Sequence, residues 1–317
     1  MRKVYAAGVD NINGGDTVIT KSANSWTNIA PIGVAKGPGA YQVYAPNQDE
    51  NVYTNDWLGP FYGFTRVLET FDMTDRPLRF KPIDIYYHMY SGTKVASLRA
   101  LDQIFAAVLK QPVLPVKITD YTHKVLDWRT FAVAREVRAA NADSTASSAG
   151  STWIVRGNGE VRELHWPGTN APDLRASHGV TGYAPGPDGM YIHIADGAAR
   201  VAFDTPLRDA TAAQSTAASA AATAGSQAPA ASSNTMPYIA QANGFVRDFK
   251  RDGHGMSFAF GGYYQPFVEL ANAQRCSVSV AGRPVAAKRD GSKLRFDTAP
   301  AAGLNVDYQP VEVACNG

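Results

Sequence analysis

The stretch Ile83 to Lys94, "IDIYYHMYSGTK", ends a strand-like apolar run in a histidine and passes through a Tyr-Ser-Gly turn into a helical pattern. An imidazole changes charge near neutral pH, and a positioned general acid or base contributes roughly 10² to 10⁴ in rate. In β/α folds the carboxyl ends of parallel strands collect functional groups, because loops and helix N-termini leave a polar crevice there. His88 is therefore a candidate general acid; a core histidine with one hydrogen-bond partner is the plainer reading. Asp16, in "NINGGDT", follows a Gly14-Gly15 pair that permits a tight turn and sets a carboxylate beside backbone N–H groups. It reads either as a polar group of a cleft or as a turn residue.

A third region, Gln42 to Phe71, is long, aromatic and amide-rich. Aromatic faces stack on sugar C–H surfaces while amides and carboxylates bond hydroxyls, so Tyr53, Trp57 and Tyr62 are candidate substrate contacts. A loop packed over the core by its own aromatics gives the same composition. The histidines, at 88, 123, 165, 178, 193 and 254, include no i,i+4 pair and no Cys-x-x-Cys neighbour, so no metal site is expected within this chain. His123 reads as solvated, and His165 and His193 as structural. Neither a G-x-S-x-G elbow, a P-loop nor a dinucleotide fingerprint occurs. Cys276 and Cys315 stand near the start and end of one β-rich segment, as a single disulfide closing a long loop or as two reduced buried thiols.

The elements that must position these groups fall into two regions. The chain has 317 residues, 45% of them hydrophobic, enough for two ordinary domains with real cores. Its net charge of +2, from 30 basic and 28 acidic residues without a basic run, argues against a nucleic-acid partner. No apolar run reaches the roughly 18 residues of a membrane span. The beginning, "MRKVYAAGVDNINGGD", reaches an aspartate and a Gly-rich turn before any apolar core of a signal peptide develops.

In residues 1–138 the patterns alternate. Ile83 to Tyr87 and Val113 to Ile118 read as buried strands. From Val95 onward Leu98, Leu101, Ile104, Phe105, Val108 and Leu109 recur at helical spacing, and "DYTHKVLDWRTFAVARE" reads as a second helix starting near Thr119 or Asp120. Two or three parallel β/α units result, too few to close a barrel. Residues 139–150 read as a linker. Residues 151–317 carry short alternating runs such as "TWIVRG", "VRELHW", "MYIHIA", "MSFAFGG" and "CSVSVAG", the pattern of an antiparallel β-sandwich or jelly roll. Within them Pro237 to Asp252 reads as a short helix, and the Ala/Ser/Thr tract 210–235 as a disordered insertion.

Four segments, "NINGGDT", "YQVYAPNQDENVYTNDWLGPFYGF", "VLETFDMTDRPLRFKPIDIYYHMYSGTKVASLRAL" and "TDYTHKVLDW", together resemble the later part of the deacetylase domain of PelA-like periplasmic exopolysaccharide deacetylases. Residues 151–317, including "PDLRASHGVTGYAPGPDGMYIHIA", are similar to the β-rich region that follows that domain. The resemblance implies the carboxyl-terminal portion of a (β/α)-barrel carbohydrate esterase that uses a divalent metal such as zinc to remove acetyl groups from N-acetylated hexosamines. It implies an exopolysaccharide and other components of its secretion as partners, and a periplasmic or secreted parent protein. His88 matches the histidine that assists the leaving amine. The family's Asp-rich and His-x-x-x-His metal motifs have no counterpart here, so the resemblance implies a chain truncated at its beginning and inactive alone. A non-catalytic carbohydrate-binding or scaffolding module on the β-sandwich is the alternative.

Overall fold

The computed structural model describes residues 2–13, 32–45, 65–75, 79, 81–87, 89–137, 151–204 and 235–316. The chain divides into two compact units, Met1–Val113 with Lys117–Leu126, and Leu114–Val116 with Asp127–Gly317. The expected linker, and all of the expected insertion except Thr235, lie outside the described residues.

The first unit contains α1 (Arg2–Ala6), β1 (Ile12–Asn13), β2 (Gly33–Ala35), β3 (Tyr41–Tyr44), α2 (Val67–Met73), a 3-10 turn at Met89–Thr93 and α3 (Val95–Val108). Strand β3 is central, parallel to β1 with Ile12 opposite Val43, and antiparallel to β2 with Val34 opposite Gln42. The apolar spacing of α3 buries Ala100, Leu101, Ile104 and Val108 against Val67 and Phe71 of α2. This stripe is narrower than expected, since Leu98, Phe105 and Leu109 remain 40–44% exposed. Helix α4 (Ile118–Trp128) follows, and its Tyr121 and Val125 close on Val43 of β3. Tyr121 also donates to the Tyr44 carbonyl oxygen at 3.2 Å. Burial first, then the nearby Asp84 and Tyr41, push the Tyr121 phenol up.

Two expected strands are corrected here. Residues 82–87 form no regular element and belong to no ladder among the described residues; Ile83 and Ile85 pack against the α2–α3 core instead. Residues 112–117 are likewise irregular, with Pro115 withholding a ladder donor. The expected second helix stops at Trp128, where the Thr130 and Phe131 N–H groups both turn back to the Asp127 carbonyl.

The second unit opens with β4 (Ala132–Arg135), the end of the sequence expected to be helical, and continues through β5 (Ser151–Arg156), β6 (Glu163–Pro167), β7 (Val180–Gly186), β8 (Gly189–Ile194) and β9 (Ala198–Phe203). They form two three-stranded antiparallel sheets, β4-β5-β9 and β6-β8-β7. Period-two alternation is clear in β6, where Leu164 and Trp166 point in and Glu163 and His165 point out. Val155, Ile192, Val201 and Phe203 lie in one core under both sheets.

Then come β10 (Tyr238–Ala242), β11 (Phe245–Asp252), β12 (Gly255–Gly261), β13 (Phe267–Ala271), β14 (Cys276–Val280), β15 (Arg283–Pro284), β16 (Lys288–Asp290), β17 (Lys293–Asp297) and β18 (Gln309–Cys315). The helix expected over Pro237 to Asp252 is thus two strands, β10 and β11. They enter different sheets, β10-β13-β17-β16 and β11-β12-β18-β14-β15, with Asn243-Gly244 turning the corner between them. Both sheets are antiparallel and share one core, in which Phe260, Leu270 and Leu294 are fully buried, each burial being worth roughly 1.5–3 kcal/mol. Cys276 faces Cys315 across the β14–β18 ladder, and the two are joined by a disulfide. The chain is therefore β-rich, built from several antiparallel sheets.

Candidate functional site

His88, Asp16, Tyr53, Trp57 and Tyr62 all lie outside the described residues. Among the described residues no three His, Cys, Asp or Glu side chains gather as a metal site requires. His123 pairs with Asp10 at 2.9 Å instead of standing simply in solvent.

The side chains that do converge belong to the second unit. A groove of about 710 Å³ runs beside β7, β8 and β10. Outward-facing residues of β6 and β8 supply one wall: Glu163 stands opposite His193, with Tyr191 two residues before it on β8. Alternation does this directly, because Met190, Ile192 and Ile194 are drawn into the core and turn Tyr191 and His193 outward. Thr181 Oγ1 lies 2.8 Å from His193 Nδ1 and donates to the His193 carbonyl at 3.2 Å, which holds that ring at the wall.

The opposite wall is β10 with Glu269 of β13 and Lys293 of β17. Tyr238 stacks on Tyr183 with ring centroids 4.3 Å apart and planes 16° apart. Burial, and then the hydrogen bond with Tyr183, push the Tyr238 phenol well above its usual range, so it remains a neutral hydroxyl. Burial likewise raises the Tyr191 phenol, with Asp188 and Glu163 adding to the shift. Lys293 Nζ meets Glu269 Oε1 at 2.7 Å.

Two features let β7 and β10 come together. Gly182 has no Cβ, and a methyl there would overlap the Ile239 backbone carbonyl. Beside it β7 bulges between Val180 and Gly182, and Arg251 holds the bulge by donating to the Val180 carbonyl at 3.1 Å and the Thr181 carbonyl at 2.7 Å. Burial pushes this guanidinium down to about 10, partly offset by Tyr183, so it stays charged at neutral pH. The turn into β6 is fixed by Asp127, which is 3% exposed. Its Oδ1 accepts from the Asn158 N–H at 2.7 Å, and its Oδ2 from the Glu160 and Val161 N–H groups, each at 2.9 Å. Burial works to raise this carboxyl, but the Val161, Asn158 and Glu160 bonds outweigh it and hold the group below the ordinary carboxylate range.

Stacked tyrosines, a carboxylate, an imidazole and the Gln241 amide along an open trough suit a ligand with apolar C–H faces and many hydroxyls. The sequence reading missed this groove because it took β10 for a helix. The Asn243-Gly244 dipeptide marked the corner that divides β10 from β11.

Comparison with family models, curated proteins and solved structures gives no match.

Proposed function

We propose that this chain engages an exopolysaccharide rich in N-acetylated amino sugars, as the carboxyl-terminal portion of a metal-dependent polysaccharide N-deacetylase acting on biofilm matrix. In this reading residues 1–138 continue an incomplete (β/α) barrel, and 151–317 form the sandwich or jelly-roll part that holds the polymer. The groove carried by Tyr183, Tyr191 and Tyr238 supports the binding role. The long motifs around His88 support the deacetylase role, with His88 as general acid, Asp16 lining the cleft, and Tyr53, Trp57 and Tyr62 touching sugar. The parent protein then works in the periplasm or outside the cell, compartments in which a disulfide such as Cys276–Cys315 persists.

One observation favours the alternative, a binding or scaffolding module without chemistry of its own. In the groove the Glu269 carboxylate is paired with Lys293 at 2.7 Å, so it serves there as an ion-pair partner and hydrogen-bond acceptor. Retention of the full chain on an immobilised N-acetylhexosamine polymer tests the binding role. Tyr238→Ala should weaken retention about tenfold, the scale of one ring's stacking contact, which for nucleobases is about 1–3 kcal/mol; equal retention of variant and parent overturns it. For the deacetylase role, His88→Ala in the complete deacetylase should lower acetate release more than polymer retention. Undiminished turnover removes His88 from the chemistry and leaves the module reading.

A further inference from the structure

A second concavity, of about 460 Å³, is walled by Tyr263, Tyr264, Pro266, Arg295, Asp297 and Thr298. Alternation along β17 buries Leu294 and Phe296 and so turns Lys293, Arg295 and Asp297 to one outer face. The Arg295 guanidinium lies over the Phe267 ring, 3.6 Å from its centroid, with Nε 3.5 Å from Asp297 Oδ1. A guanidinium stacked this way keeps a fixed plane and offers its remaining N–H groups to acceptors in that plane. Beside it, Thr298 Oγ1 is buried with no hydrogen-bond partner among the described residues, while its own N–H is held by the Pro266 carbonyl at 3.0 Å.

The loop that presents the tyrosines is strained and pinned. Gln265 has φ 42°, a left-handed conformation uncommon outside glycine, and it precedes a proline, which restricts it further. Asn243 Nδ2 holds the conformation by donating to the Tyr264 carbonyl at 2.7 Å and the Gln265 carbonyl at 3.3 Å. Strain kept in place by dedicated hydrogen bonds concentrates at binding sites. Here it sets two aromatic rings next to an Arg/Asp pair.

We propose that this pocket is a second saccharide subsite, taking a hexopyranose ring with vicinal hydroxyls. Asp297 accepts from one hydroxyl, Arg295 donates to its neighbour, and the C–H face of the ring rests on a tyrosine. The subsite continues the groove: Glu269, which lines the groove, is the register partner of Arg295, and Arg295 stands two residues beyond Lys293, about 7 Å along β17. One polymer strand thus reaches both. The class of ligand rests on the binding role proposed above; the position of the subsite does not.

Calorimetric titration of the full chain with N-acetylglucosamine di-, tetra- and hexasaccharides tests the proposal. In the parent chain affinity rises with oligomer length, because the second subsite is engaged at high effective concentration. Arg295→Ala should abolish most of that gain, lowering hexasaccharide affinity about tenfold or more while leaving the disaccharide unchanged. Asp297→Asn should act in the same direction, and Arg295→Lys should fail to restore the gain, because an ammonium lacks the planar fork. Length dependence intact in Arg295→Ala overturns the subsite and leaves the groove standing. Disaccharide affinity unchanged in Tyr238→Ala overturns the groove, and the subsite then stands by itself if Arg295→Ala weakens the disaccharide. No binding of any oligomer overturns both.

Discussion

Replacing Asp127 by Asn removes a charge and changes one acceptor oxygen into an NH2 group. Because Oδ2 alone accepts from both Glu160 and Val161, an amide placed in the original orientation sets donors against two backbone donors. The flipped amide frees those two and opposes the Asn158 N–H instead. Asparagine takes the flipped orientation, which loses one bond, and hydrogen bonds to a charged group are worth about 1.5–3 kcal/mol each, so the turn is destabilised by about that much. Amide hydrogen exchange at Asn158, Glu160 and Val161 reads this locally, and protection there should fall about tenfold to 100-fold. The pH dependence carries the same sign. A carboxyl whose folded pKa lies below its unfolded value of 3.8 contributes its full stabilisation above about pH 4 and loses it as pH falls through the lower, folded value. Protection that is unchanged in Asp127→Asn, or that falls by less than about fivefold, would refute the account of this turn.

Three further outcomes follow from the same geometry. Reducing Cys276–Cys315, or replacing both by Ser, reopens a loop of sequence separation 39, for which chain entropy gives about 4 kcal/mol; an unchanged urea midpoint in dithiothreitol contradicts this. Gly182→Ala forces β7 from β10 and should cost about 1–3 kcal/mol, seen as a lower thermal midpoint together with weaker oligosaccharide binding. Equal midpoints show that the two strands do not need that closeness. Leu294→Ala leaves a cavity in the shared core of the two larger sheets and should cost about 2–5 kcal/mol in chemical denaturation, where a loss below about 1 kcal/mol argues against tight packing there.

The β-rich part was legible wherever polar and apolar residues alternated strictly, as in "VRELHW", "MYIHIA" and "KLRFD". Alternation fixes both the strand and the face it buries. It failed where an apolar run carried no period: "IDIYY" is half-buried against helices, and burial alone does not supply a neighbouring strand. "PYIAQANGFVRD" mixes helix-forming alanine with aromatic residues, and only long-range pairing of β10 with β13 and of β11 with β12 decides its state. The groove was illegible for a related reason. Its walls come from strands far apart in sequence, and β7, with Gly182, Pro185 and Gly186 among its seven residues, gave no alternation to read. The subsite around Arg295 depends on a register partner and on a left-handed glutamine, neither of which a local pattern displays.

Strand β18 lies in the middle of its sheet, hydrogen-bonded to β12 on one side and to β14 on the other. Synthesis delivers this segment after every other strand of that sheet. Until it arrives, β12 and β14 present two bare edges across an empty slot, so the sheet cannot zip up progressively as the polypeptide emerges. Completing the sheet therefore requires residues 309–315, and the Cys276–Cys315 bond ties that last strand to β14.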